Sequence, residues 1–175
     1  MKKLVKISLV LVAMIAFGAT SFAQQQATAH VSTDARIIAP ITIAGTQSLE
    51  FGDIAVGTAG GSATVAPNGS TSTTGDVSLP SAGGGASRHN AIFTVGGLAN
   101  ATYTINLTNA TITLSDGGAN TMSVGTFVTD PTPTGTLDGT GAQLINVGGT
   151  ITVSGSQAAG TYTNAQDLEI TVAYN

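Results

Sequence analysis

Apolar and polar side chains alternate almost without a break between Ala27 and Ile43. The apolar positions carry odd numbers: Ala27, Ala29, Val31, Ala35, Ile37, Ala39, Ile41 and Ile43. A two-residue period places one apolar edge on an extended chain. At roughly 3.3 Å per residue the segment would span more than about 50 Å, about three times an ordinary strand. The pattern therefore predicts two strands, or one strand that reaches beyond its own domain.

We divide this segment near Arg36. Residues 37–43 are expected to be the first strand of a single domain spanning residues 37–175. Residues 24–36 are expected to be an extended strand that can complete the sheet of a neighbouring subunit through its backbone, with alternate side chains filling pockets. The candidate assembly residues in it are Ala27, Ala29, Val31 and Ala35. Pairing of the whole segment within its own sheet is the alternative.

Shorter alternating runs, separated by glycine-rich turns, fill the rest of the sequence. This arrangement is typical of an all-β sandwich or barrel. The predicted strands are residues 48–51, 62–65, 91–95, 101–107, 110–114, 122–128, 143–147, 150–153 and 167–174. The predicted loops are residues 66–75, 81–87, 115–120 and 130–141, where Gly, Pro, Asn, Asp and Ser are concentrated.

The last of these runs alternates cleanly. Its apolar face consists of Leu168, Ile170, Val172 and Tyr174. Such a face is typical of a strand packed against a core. These four residues complete the set of candidate assembly residues.

The first 23 residues have the pattern of an export signal. Lys2, Lys3 and Lys6 precede an apolar run from Ile7 to Phe17, and small residues end the segment at Ala23. We expect cleavage after Ala23 and a destination in the periplasm, at the cell surface or outside the cell. The apolar run is too short for a stable anchor, so we expect no membrane insertion of the mature chain.

Charge and cysteine content exclude several kinds of partner and attachment. All three lysines lie in the signal, which leaves two arginines against nine carboxylates, a net charge of −7. Such a surface cannot neutralise phosphates, so we expect neither nucleic acid nor anionic lipid as a partner. The chain has no cysteine, which excludes disulfides, a lipid-linked cysteine and thiolate metal sites.

Catalytic chemistry is sparse. The only imidazoles are His30 and His89, and no Gly-x-Ser-x-Gly elbow occurs in the mature chain. Asp116, Asp130 and Asp138 fall in or near loops, but no loop repeats carboxylates at the spacing of a known calcium loop. We expect no enzyme, no catalytic residue, no cofactor and no metal site. Melting with calcium and with a chelator would test the metal expectation.

Short motifs carry a family resemblance. They are Ile38-Ala39-Pro40-Ile41-Thr42-Ile43, Leu49-Glu50-Phe51-Gly52-Asp53-Ile54, Ala63-Thr64-Val65-Ala66-Pro67-Asn68-Gly69, Gly160-Thr161-Tyr162 and Ile170-Thr171-Val172-Ala173-Tyr174. Together they resemble the domain-of-unknown-function family 4402, a group of secreted bacterial proteins. The Leu-x-Phe-Gly element is also similar to the spore-coat-U-like subunits of archaic chaperone-usher pili. The final strand with Tyr174 resembles the closing strand of chaperone-usher pilins, which a periplasmic chaperone holds. These resemblances imply an immunoglobulin-like antiparallel β-sandwich, with a periplasmic chaperone and an outer-membrane usher as partners.

Two classes of function fit these features. The leading expectation is a structural subunit of an extracellular fibre or surface layer, a homo-oligomer or an assembly of related subunits joined by strand addition. The alternative is a secreted adhesin or glycan-binding module. Sugar sites need aromatic platforms, and the mature chain has only Phe51, Phe93, Tyr103, Phe127, Tyr162 and Tyr174.

Overall fold

The computed structural model describes residues 26–80, 87–164 and 168–175. The predicted export signal at residues 1–23 lies outside the described residues, as do most of the predicted loop 81–87 and the first residue of the predicted strand 167–174. Within the described ranges there is no helix. Thirteen strands are assigned there, namely β1 (Thr42–Gln47), β2 (Glu50–Phe51), β3 (Ala55–Val65), β4 (Thr71–Ser78), β5 (Arg88–His89), β6 (Ala91–Gly96), β7 (Thr102–Leu107), β8 (Thr111–Ser115), β9 (Thr121–Asp130), β10 (Thr134–Thr136), β11 (Ala142–Val153), β12 (Thr163–Asn164) and β13 (Ile170–Tyr174).

The strand β11 is the centre of the largest sheet. Its first half pairs with β6 and its second half with β3, while β9 runs along its other side. Outward from these strands, β1 pairs with β6, β4 with β3, β8 with β9 and β12 with β8. All of these pairings are antiparallel. The twelve residues of β11 therefore connect most of the molecule.

A second sheet packs against the first. It has the order β10-β7-β13, and a separate short pair joins β2 to β5. The main core lies between the two sheets, with Val95 and Ile145 from the large sheet meeting Tyr103 and Ile170 from the small one. A second cluster packs Phe51 against Ala63, Val65, Val77, Val124, Ile151 and Val153. The predicted fold class, an all-β antiparallel sandwich, is confirmed.

Several strands differ from the predicted ones. The strand β4 occupies the second half of the predicted loop 66–75. It was not predicted because its residues before Val77 are exposed and give no alternating apolar signal. The strand β10 occupies part of the predicted loop 130–141; it has only three residues and lies at a sheet edge. The two predicted strands 143–147 and 150–153 are one strand, β11, whose buried Gly148 leaves room for the backbone of Val65 and Ala66.

The first strand of the domain begins later than predicted. Residues 26–41 contain no strand, and β1 starts at Thr42 rather than at Ile37. Thr42 faces Gly96, the last residue of β6, so the pairing partner ends there. Two residues earlier, Pro40 has no backbone N–H to donate. The described residues up to Arg36 form one unit of the chain and those from Ile37 onward another.

Candidate functional site

Two strand edges without a partner border one side of the sandwich. In the described part of the chain, β1 pairs only with β6 and β13 pairs only with β7. The two edge strands belong to different sheets, yet their Cα atoms approach within 8 Å. An unpaired edge presents N–H and C=O groups that can hydrogen-bond to another strand. In the described part of the chain, the outer backbone groups of β1 and β13 therefore have no strand partner.

The hydroxyl of Tyr174 closes one end of this side. It accepts a hydrogen bond from the backbone N–H of Leu98 at 2.6 Å and donates one to the carbonyl of Ala39 at 3.0 Å. Gly97 makes the approach feasible, because a Cβ at this position would collide with the phenol. Through one side chain, β13 thus holds the loop after β6 and the segment that leads into β1.

The other end of the same side opens into an apolar cavity of about 580 Å³. Phe93 from β6, Ile112 and Leu114 from β8 and Phe127 from β9 point into it, and Leu168 lines it just before β13 begins. The last residues of β1, Gly45 to Gln47, form part of its wall. Apolar surface that a protein leaves open in this way commonly marks a binding site.

The structure places the four later candidate assembly residues on the inward face that the alternation predicts. Leu168 lines the cavity, and Ile170 is buried in the main core. Val172 and Tyr174 are half-buried and pack against the same core. Their role in assembly stays a prediction, but all four lie at or beside the free edge of β13.

The four earlier candidates lie in the segment that contains no strand. Ala27, Ala29, Val31 and Ala35 are all exposed. Val31 is 89% exposed and is the only large apolar side chain among them. Their contact with a second subunit stays a prediction.

Sequence reasoning missed two residues near this segment. Ile37 is 98% and Ile38 is 44% exposed, although residues 37–43 were expected to lie in the first strand of the domain. Five large apolar side chains are exposed in the described ranges. Three of them, Val31, Ile37 and Ile38, lie before the first strand, and the other two are Val128 and Leu144. The signal that separates Ile37 and Ile38 from the strand is Pro40.

His89 and Arg88 have local structural partners. His89 Nδ1 lies 2.9 Å from the carbonyl of Ser48, and its Nε2 is 3.7 Å from a carboxylate oxygen of Glu50. The Arg88 guanidinium donates to the carbonyls of Phe51 and Asp53 and so joins β5 to β2 and its following loop. These contacts hold the short β2–β5 pair in place.

Two of the aspartates considered for calcium close turns. Asp116 accepts from the side chain of Asn120 and the backbone of Gly118, and these bonds lower the pKa of its carboxyl. Asp138 accepts from the Thr140 hydroxyl and from two backbone N–H groups, which lowers its pKa likewise. Nowhere in the described ranges do three His, Cys, Asp or Glu side chains come together.

None of the six aromatic residues considered as sugar platforms is exposed. Phe51 and Tyr103 are buried, and the other four are half-buried. The Tyr103 hydroxyl donates to Gln143 at 2.7 Å, and burial raises the pKa of this phenol. These rings therefore pack in the core or at its edge.

A family model described as "Domain of unknown function (DUF4402)" matches residues 41–174. No curated protein matches the chain. No solved structure matches it. Across the described residues, the structure has no helix with the length and apolar character needed to cross a membrane.

Proposed function

We propose that this chain, which belongs to the DUF4402 family, is a structural subunit of an extracellular fibre or cell-surface layer whose copies join by strand addition. The observation that carries the proposal is the pair of free edges, β1 and β13, beside an open apolar cavity. Backbone hydrogen bonds to a free edge supply affinity, and pockets for alternate side chains supply specificity.

The segment from Ala27 to Ile38, hereafter the arm, supplies the added strand. It is exposed in the described structure and has no strand of its own. Its alternating sequence can present one row of side chains to a neighbour while its backbone pairs with the neighbour's edge. No covalent link is needed, which fits a chain that has no cysteine and whose lysines all lie in its first six residues.

Free edges need protection before assembly, because an exposed edge strand can pair with any other chain. A periplasmic chaperone that covers β13, and an outer-membrane usher that receives the protected subunit, would meet this need. The partners we propose are therefore further copies or related subunits, with a chaperone and an usher acting before assembly. The proposal assigns no catalytic step and places the protein outside the cytoplasm.

Deletion of residues 27–36 tests the proposal. Negative-stain microscopy of the full chain is expected to show filaments or sheets, and the deleted variant is expected to remain monomeric. A matched variant in which a Gly/Ser segment of equal length replaces these residues controls for spacing and is also expected to stay monomeric. Because the arm contributes nothing to the core, the melting temperature of the monomer is expected to stay unchanged.

Addition of the arm in trans provides a second measurement. A synthetic peptide covering residues 24–38 is expected to bind the deleted variant and raise its melting temperature, since a ligand that binds only the folded state stabilises it. Assembly of the deleted variant to the wild-type extent would refute strand addition by the arm.

A further inference from the structure

The arm carries two large apolar side chains on one side. Val31 and Ile37 both occupy odd positions, so an extended backbone directs them to the same face. They are 89% and 98% exposed. The other odd-numbered apolar residues of the arm are alanines, namely Ala27, Ala29 and Ala35. Only Val31 and Ile37 are large enough to act as anchors on this face.

The spacing of these anchors matches the free edge of β13. Ile37 lies six positions after Val31, which corresponds to roughly 20 Å in an extended chain. Tyr174, at the closed end, likewise lies six positions after Leu168, at the cavity. An arm laid along β13 therefore places one anchor at the cavity and the other near Tyr174.

The chain's own arm joins the domain at the end away from this cavity. Tyr174 donates to the carbonyl of Ala39, the residue that follows the arm, and so holds Ala39 at the closed end, away from Leu168. Folding back would require a tight turn directly before β1. Between Ala35 and Ile41 there is no Gly, Asn or Asp to form one, and Pro40 is the only turn residue. The occupant is therefore the arm of a second copy.

The direction of the added arm decides how the assembly grows. An arm antiparallel to β13 brings Ile37, and with it the donor domain, to the cavity end of the acceptor. The acceptor's own arm starts at the opposite end. Each copy can therefore donate its arm to one neighbour and accept the arm of another, which gives a linear assembly. A parallel arm would bring the donor domain to the closed end, where Ala39 and Leu98 already contact Tyr174. The antiparallel direction avoids this crowding and also gives the slightly more stable pairing.

We infer that Ile37 of one copy enters the apolar cavity beside Leu168 of the next copy, with Val31 towards Tyr174 and the arm antiparallel to β13. This inference rests on the proposed function and adds to it the partner, the two anchors and the direction. Ile37, which the alternation assigns to the domain's own first strand, becomes the main anchor of the interface.

Engineered cysteines test the direction, because the chain contains none of its own. Full-length Ile37→Cys and Leu168→Cys variants are produced separately, mixed, assembled under mild oxidation and run on a non-reducing gel. A cross-linked dimer is expected from this mixture, and at least tenfold less from Val31→Cys mixed with Leu168→Cys. Thr46→Cys, on the cavity wall, serves as a second acceptor if Leu168→Cys folds poorly.

The other cross-linking patterns would overturn the inference. A dominant Val31–Leu168 link would show a parallel arm. A fast-migrating monomer from a chain carrying both Ile37→Cys and Leu168→Cys would show that each arm fills its own cavity. If no cross-link forms but deletion of residues 27–36 still abolishes assembly, the arm binds at a site other than the edge of β13. This result would refute the inferred site but not the proposed strand addition.

A substitution series checks the anchor itself. Ile37→Asn is expected to reduce assembly at least tenfold without changing the melting temperature of the monomer, because the side chain is exposed there. Leu144→Asn is the matched control, since Leu144 is 52% exposed on β11, outside the arm and the cavity. It is expected to assemble normally, and equal losses in both variants would contradict a specific role for Ile37.

Discussion

Replacement of Tyr174 by phenylalanine isolates the contribution of one hydroxyl to the closed end of the site. The change removes the hydrogen bonds to Leu98 and Ala39, which lie 76 and 135 residues away in sequence. The Leu98 N–H lies in a part-buried environment, and a buried donor left unpaired costs about 1–3 kcal/mol. The Ala39 carbonyl is exposed, so water replaces the phenol there at little cost. We therefore expect the free energy of unfolding to fall by about 1–3 kcal/mol, almost all of it from Leu98.

Thermal and urea unfolding measure this loss. For a domain of this size 1 kcal/mol corresponds to roughly 3 °C, so the melting temperature is expected to fall by roughly 3–9 °C. Hydrogen exchange at the Leu98 amide should accelerate as well, because its acceptor is gone.

Tyr162→Phe is the matched control for Tyr174→Phe. The Tyr162 hydroxyl also makes two hydrogen bonds, to Ala158 and Gln157, but both partners lie within five residues. Its loss is expected to change stability by less than about 0.5 kcal/mol. Equal shifts in the two variants, or an unchanged Leu98 exchange rate in Tyr174→Phe, would refute the role assigned to the Tyr174 hydroxyl.

Two further predictions concern stability. Ile145→Ala removes a fully buried side chain of the main core and should cost about 2–5 kcal/mol in urea unfolding. Leu144→Ala, one residue earlier and half-exposed, should cost less than about 1 kcal/mol, and an equal or larger loss there would contradict the inward orientation of Ile145. The pKa of the Asp138 carboxyl is lowered in the folded state by its hydrogen bonds, so its stabilising effect is present above the unfolded-state pKa and is lost as the pH falls through the folded-state pKa. Asp138→Ala should therefore destabilise the domain at neutral pH and flatten its acid-unfolding profile, and an unchanged profile would contradict this.

Much of the fold could be predicted because side-chain alternation reports strand geometry directly. The runs that became β7, β8 and β13 all alternate and all have an inward face. The strands β4 and β10 were not predicted from the sequence. Both are edge strands whose exposed positions carry polar residues or glycine. An apolar period cannot reveal a strand that buries few side chains.

The candidate site could be predicted only in part. The inward positions of Leu168 and Ile170 follow from local alternation, and the structure has them there. The cavity could not be predicted, because it brings together Leu49, Phe93, Ile112, Phe127 and Leu168 from distant parts of the sequence. The same limit applies to Ile37: its alternation matches that of Ile41 and Ile43, yet only the latter two pack against the core.

The sequence by itself determined the class of secondary structure, the inward face of the final strand and the chemical routes of attachment that are closed to this chain. A two-residue period is a local property of the backbone, and a missing residue type is missing in any fold. Tertiary structure decided which edges of the described strands stay free, where the first strand begins and which contact holds the segment before it. These features depend on partners far apart in sequence, as in the hydrogen bond from Tyr174 to Ala39, and the geometry of the whole sandwich brings such partners together.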